Sequence, residues 1–97
     1  MFTSKERSNL RSIAQNIEPI GQIGKGGMNE NMIKSFSEAL EARELIKVNI
    51  LNNSEAEAKE ICDELAKAVR AEVVSTIGHK VILYRYSHKK GVEHVKY

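Results

Sequence analysis

Apolar and polar positions alternate along this chain with two different periods, and the change of period marks out its elements. Leu10, Ile13, Ala14 and Ile17 recur at helical spacing behind Thr3-Ser4-Lys5-Glu6. There the Thr3 side chain can cap the helix and Glu6 can reach back to it, which predicts helix 1 over about 4–16. Pro19 bars further helix, and Pro19 to Ile23 reads as a short extended stretch broken by Gly24-Lys25-Gly26-Gly27. Asn29 or its neighbour caps helix 2, whose apolar stripe is Met32, Ile33, Phe36, Ala39 and Leu40, ending near Arg43. From Leu45 to Leu51 the period drops to two. Ile46, Val48 and Ile50 share one side, Lys47 and Asn49 the other, as in a half-buried strand. Asn52-Asn53 turns the chain, and Ser54 and Glu57 form a second capping box. Ala58, Ile61, Cys62, Leu65, Ala68 and Val69 then stripe helix 3 over 54–70. Residues 71–77 and 81–86 are β-rich runs around Gly78-His79-Lys80 and predict a hairpin. The stretch 87–97 has no apolar period and is expected to be a loose, basic tail beyond a single domain over 1–86.

The order α-β-α-β-α-β-β predicts an α/β two-layer sandwich, with a mixed four-stranded sheet and helices on at least one face. Strands joined through helices favour parallel pairing, and the hairpin adds an antiparallel pair. A chain of 97 residues has room for one small core and no elaborate active site. No apolar run approaches a membrane span, and no apolar segment follows the first charged residues, so a cytoplasmic protein without membrane contact is expected. The single cysteine excludes an internal disulfide and a cysteine-built metal site.

Charge changes the picture through its placement. Fifteen Lys and Arg against thirteen Asp and Glu give only +2. Helix 3, however, carries Glu55, Glu57, Glu60, Asp63 and Glu64 against Lys59, Lys67 and Arg70. The excess of base falls at the two ends: Lys5, Arg7 and Arg11 in helix 1, and Lys80, Arg85, Lys89, Lys90 and Lys96 after Gly78. Should both ends meet on one side, that side is a basic face; an ordinary solvated surface is the alternative.

The loop Gly24-Lys25-Gly26-Gly27 lies between a strand and a helix. Its glycines allow close backbone approach, the first helical amides face it, and Lys25 adds a full charge, all of which suits a phosphate. A strand-to-helix turn that needs glycine for geometry alone is the competing reading. It is neither a Walker A loop nor a dinucleotide fingerprint. Arg7 and Arg11 are i, i+4 neighbours and can lie against one polyanion. Lys47 and Asn49 project from the polar side of their strand, with Gln22 a candidate beside them. Tyr84 and Tyr86 can stack on bases or simply pack.

Catalysis has little support. Cys62 sits on an apolar stripe, no serine lies in a nucleophile elbow, and His79, His88 and His94 lack ligand spacing. No catalytic residue, metal or cofactor is therefore expected.

Four blocks in order carry a resemblance: Leu10-Arg11-Ser12-Ile13-Ala14, Ile20-Gly21-Gln22-Ile23-Gly24-Lys25-Gly26-Gly27, Ala42-Arg43-Glu44-Leu45-Ile46-Lys47-Val48, and Ile77-Gly78-His79-Lys80-Val81-Ile82-Leu83-Tyr84-Arg85. From about Thr3 to Arg85 the chain resembles the YhbY family, the single-domain form of the CRM (chloroplast RNA splicing and ribosome maturation) domain. The resemblance implies a fold similar to the C-terminal domain of translation initiation factor three. It also implies RNA binding, with precursor large-subunit ribosomal RNA or the pre-50S particle as partner; a monomer is expected. It assigns contacts to Gly24, Lys25, Gly26 and Gly27, with Lys5, Arg7 and Arg11 beside them, and extends them to Lys34, Lys47, Lys80 and Arg85. The loop resembles the Gly-x-x-Gly clamp of KH domains in chemistry, though not in fold. A protein-interaction adaptor working through acidic helix 3 is the alternative function.

Overall fold

The structure is a computed structural model; residues 2–24, 26–51 and 55–97 are described. They form α1 (Ser4–Ala14), β1 (Gly21–Ile23), α2 (Glu30–Arg43), β2 (Leu45–Ile50), α3 (Glu55–Ala68), β3 (Glu72–Ile77) and β4 (Lys80–Tyr84). This is the element order predicted, and the sheet is mixed and four-stranded, in the order β1-β2-β4-β3. β1 and β2 run parallel, β2 and β4 antiparallel, and β3 and β4 form the hairpin.

The capping box of α1 is present in both directions: the Glu6 amide donates to Thr3 Oγ1 at 3.1 Å and the Thr3 amide to Glu6 Oε1 at 3.0 Å. The helix stops at Ala14, two residues short of expectation. The chain there tightens into a turn, with the Asn16 amide bonded to the Ile13 carbonyl and Ile17 to Ala14. Asn29 caps α2, its Oδ1 accepting from the Met32 amide at 2.9 Å. The predicted turn at Asn52-Asn53 and the Ser54 cap of α3 lie outside the described residues.

Alternation along the strands splits the core. Ile46, Val48 and Ile50 of β2, with Val81 and Leu83 of β4, face α2 and α3 and pack against Phe36, Leu40, Ala58, Cys62 and Leu65. Leu45, Ile82 and Tyr84 face the other way, onto Leu10 and Ala14 of α1. Helices therefore cover both faces, but α1 is a single short helix and covers only part of its own. Burial at 25 cal/mol per Å² of apolar surface drives both contacts.

The tail is not loose. Ser87 is fully buried, and its amide donates to Glu44 Oε2 at 2.7 Å. His94 Nδ1 bonds the same oxygen at 2.7 Å, and the Val95 amide donates to Glu44 Oε1 at 2.7 Å. Tyr97 meets Phe2 and Tyr84 edge-on at about 5.4 and 5.3 Å between ring centres. The correction has a simple cause: one buried carboxylate and one aromatic cluster hold the segment without any repeating pattern. Burial disfavours charge on Glu44, yet bonds from the Ser87 amide, His94 and the Val95 amide outweigh it and keep its carboxyl below the usual range. Glu44 also holds the C-cap of α2 at φ 65°, a conformation that costs a residue with a Cβ.

Candidate nucleic-acid interface

The uncovered part of the α1 face is polar by sequence and exposed by geometry. Register puts Gln22 opposite Asn49 and Asn49 opposite Lys80, while Ile77 pairs with Lys80 across the hairpin. Lys47 lies on the same face of β2 as Asn49, two residues back. Above these strands α1 presents Ser8, Arg11, Ser12 and Gln15, at i, i+3, i+4 and i+7, so all four share one stripe. Helix and sheet enclose an open cleft of about 480 Å³. Its lining brings in Arg11, Lys47 and Lys80 from three elements, with Ile77 and Ile82 as apolar floor, and it contains no carboxylate.

The glycine loop lies at this end of the sheet. Gly24 follows Ile23, which pairs with Ile50, and the Ile50 amide in turn bonds the carbonyl of His79 in the hairpin turn. With strands about 4.8 Å apart, loop and hairpin turn are near neighbours across two strand spacings. Within the loop the Gly27 amide donates to the Gly24 carbonyl at 3.0 Å, and Gly27 has φ +79°, a geometry that favours glycine. Gly24 and Gly26 differ: neither has such a positive φ, and a Cβ on either, as on Gly27, meets nothing within 4 Å. Packing within the fold therefore does not demand glycine at those two positions. Lys25 lies outside the described residues. One helical amide thought available to a phosphate, that of Met32, is already capped by Asn29.

The remaining residues named from the sequence fall elsewhere. Lys5 is exposed at the far end of α1, about 9 Å along the axis from Arg11. Lys34 is exposed on α2, across the sheet from the cleft. Arg7, one helical turn from Arg11, does not line the cleft. It is half-buried, and Nη1 donates to the carbonyls of Val73 at 2.9 Å and Val74 at 2.7 Å. A β-bulge between Val73 and Ser75 presents those two oxygens together. Arg85 turns inward: Nη1 donates to the Val69 carbonyl at 2.6 Å and to Ser37 Oγ at 3.1 Å, and Nη2 to the Ser37 carbonyl at 2.8 Å and Glu41 at 3.4 Å. Both guanidiniums thus join elements of the fold. Tyr84 is buried and Tyr86 half exposed, stacked on His94 at 4.4 Å.

Missed from sequence was the stripe Ser8, Ser12 and Gln15. Its signal was present: polar residues at i, i+4 and i+7 beside an apolar stripe, on a helix with one flank over the sheet. Cys62 is buried, and burial pushes its thiol up, which keeps it un-ionised. Among the described residues, no group of three or more His, Cys, Asp or Glu could hold a metal ion. No helix among them is long and apolar enough to cross a membrane.

A mixed α/β sheet domain with a cationic, carboxylate-free cleft beside a glycine loop is a candidate polyanion-binding module. The family model for the CRS1 / YhbY (CRM) domain matches residues 2–85, and the chain belongs to that family. It is 49% identical over 87 residues to the "Probable RNA-binding protein YqeI" of Bacillus subtilis, covering 90% of this chain and 91% of that one. Over 86 residues it is 40% identical to the "Probable RNA-binding protein MJ0652" of Methanocaldococcus jannaschii, covering 87% and 63%. A solution structure of the hypothetical protein SAV1595 from Staphylococcus aureus, a candidate RNA-binding protein, superposes with a TM-score of 0.80 at 49% identity, covering 96% and 98%.

Proposed function

We propose that this protein binds RNA without catalysis, and that its target is precursor large-subunit ribosomal RNA during ribosome assembly. The observation that carries the RNA reading is the cleft, where Arg11, Lys47 and Lys80 converge around a lining without a carboxylate. Each phosphate neutralised there releases condensed counterions, so binding is salt-sensitive. The glycine loop at the same end of the sheet adds backbone amides, with room at Gly24 and Gly26 for a phosphate to come close and Lys25 to supply charge. Arg7 and Arg85 are left out of this reading, because Nη1 of Arg7 and both Nη atoms of Arg85 bond carbonyls of the fold. The exposed acids of α3 stand on the opposite face and orient the protein by repelling the polyanion from that side. Membership of the CRM family and the names of its relatives support RNA as the partner. The ribosomal target rests on the resemblance of the four sequence blocks to the single-domain YhbY form.

The test is binding to precursor large-subunit ribosomal RNA and to small-subunit ribosomal RNA, each across a salt series, with Lys25→Glu beside the unaltered protein. Preference for the large-subunit precursor, weakened severalfold in the variant, is expected. Equal binding to both RNAs would remove the large-subunit assignment, and absence of salt-sensitive binding would remove RNA altogether.

A further inference from the structure

The cleft is more than a patch of positive charge, because its chemistry is layered. Its cations stand among Ile77 and Ile82 on the strands and Ser8, Ser12 and Gln15 on the helix. A surface built only to attract phosphate needs none of these. Ile77 in particular is 58% exposed, a large β-branched side chain left open to water beside two lysines. Nothing in the packing of the fold requires it there, whereas a flat apolar ligand would.

Resting on the RNA reading above, we infer that this cleft receives a single unpaired nucleobase: Ile77 covers its face, Gln15 and Ser12 bond its edge, and Arg11, Lys47 and Lys80 hold the phosphates on either side. The volume of about 480 Å³ lies within the range of small-ligand sites and leaves room for one base and its sugar. An amide such as that of Gln15 carries a donor pair and an acceptor side by side, matching the paired groups on a base edge. Cleft geometry also selects the form of the RNA. In an A-form duplex the bases are stacked and paired and their edges are hard to reach, while a splayed base from a loop or bulge can enter between helix and sheet.

The experiment compares short single-stranded RNAs, oligo-A, oligo-C, oligo-G and oligo-U, with duplexes of equal length, by fluorescence anisotropy at fixed salt. The unaltered protein, Gln15→Ala, Ile77→Ala and Lys47→Glu are run side by side. Expected are tighter binding to single strands than to duplexes and a preference among the four bases. Gln15→Ala should erase that preference, with the largest loss of affinity for the base the unaltered protein prefers. Ile77→Ala should weaken all single strands severalfold without changing duplex binding. Lys47→Glu should weaken single strands and duplexes alike. RNA binding that is indifferent to strandedness, with base preference unmoved by Gln15→Ala, would overturn the nucleobase slot and leave the RNA reading standing. No binding to any RNA would overturn both. Gln15 and Ile77 are exposed, so these variants should fold, and unchanged thermal unfolding midpoints check that they do.

Discussion

The two ends of β4 treat polar side chains in opposite ways. At the Lys80 end, Lys80, Lys47 and Arg11 converge on an open cleft with no carboxylate in its lining. At the Tyr84 end, polar groups are drawn inward. Arg85 is anchored to two carbonyls, Ser37 Oγ and Glu41, and Glu44 collects Ser87, His94 and Val95. The same residue types therefore do different work according to whether the fold gives them partners. A buried charge that has partners stabilises the fold through the penalty of stranding them, while an exposed charge contributes little to stability and is available to a ligand.

Breaking the inward end should have the largest effect. Arg85→Ala strands the carbonyls of Val69 and Ser37 and removes the tie between β4, α2 and the end of α3. A stability loss of about 3 kcal/mol in urea unfolding is expected, with RNA affinity of the folded fraction retained. A loss below about 0.5 kcal/mol would show that these bonds are dispensable.

Glu44→Gln should follow at about 2 kcal/mol, since a charged acceptor of three donors becomes a neutral one. It also carries a pH signature. The Glu44 carboxyl is held below its ordinary value when folded, so its contribution is fully present above the unfolded value of about 4.3 and fades as pH falls through the folded one. The stability gap between the two proteins should therefore be constant near neutrality and shrink under acid below about pH 4. Measuring unfolding free energy from pH 7 down to 3 checks this; a constant gap across that range would mean that folding leaves the acidity of the Glu44 carboxyl unshifted.

The smallest effect separates two glycines of one loop. Gly27→Ala must place a Cβ at φ +79° and should cost about 1 kcal/mol. Gly24→Ala has open space and should change stability by less than about 0.5 kcal/mol, while lowering RNA affinity if a phosphate comes close. Equal stability losses would make the loop a structural turn and nothing more.

How much of this was legible in the sequence follows from range. Local chemistry was readable: the Thr3–Glu6 capping box, the Asn29 cap, the alternation of β2 and the apolar stripe of α3 each depend on residues a few positions apart. So was the membership of Lys47 in a polar strand face. The partners of Arg7, Arg85 and Glu44 were not, because they lie 16 to 67 positions away in sequence or arise from a bulge that leaves no mark in composition. The tail misled for the same reason. Ser87, His94 and Val95 converge on the distant Glu44 carboxylate and Tyr97 joins an aromatic cluster, at irregular spacing, so no period advertises their docking, although the density of aromatic and histidine residues there was a cue. Arg11 and Arg7 show the limit most clearly: equivalent in helical spacing, they part because only one meets the bulged carbonyls of β3.

The account stands on the claim that the cations left free at the Lys80 end meet phosphate. The most direct measurement is the logarithmic slope of RNA affinity against salt for the unaltered protein and for Arg11→Ala, Lys47→Ala and Lys80→Ala singly. Each substitution is predicted to flatten the slope by about 0.7 unit on single-stranded RNA while leaving stability within about 0.5 kcal/mol. Slopes that stay unchanged in all three variants would contradict it.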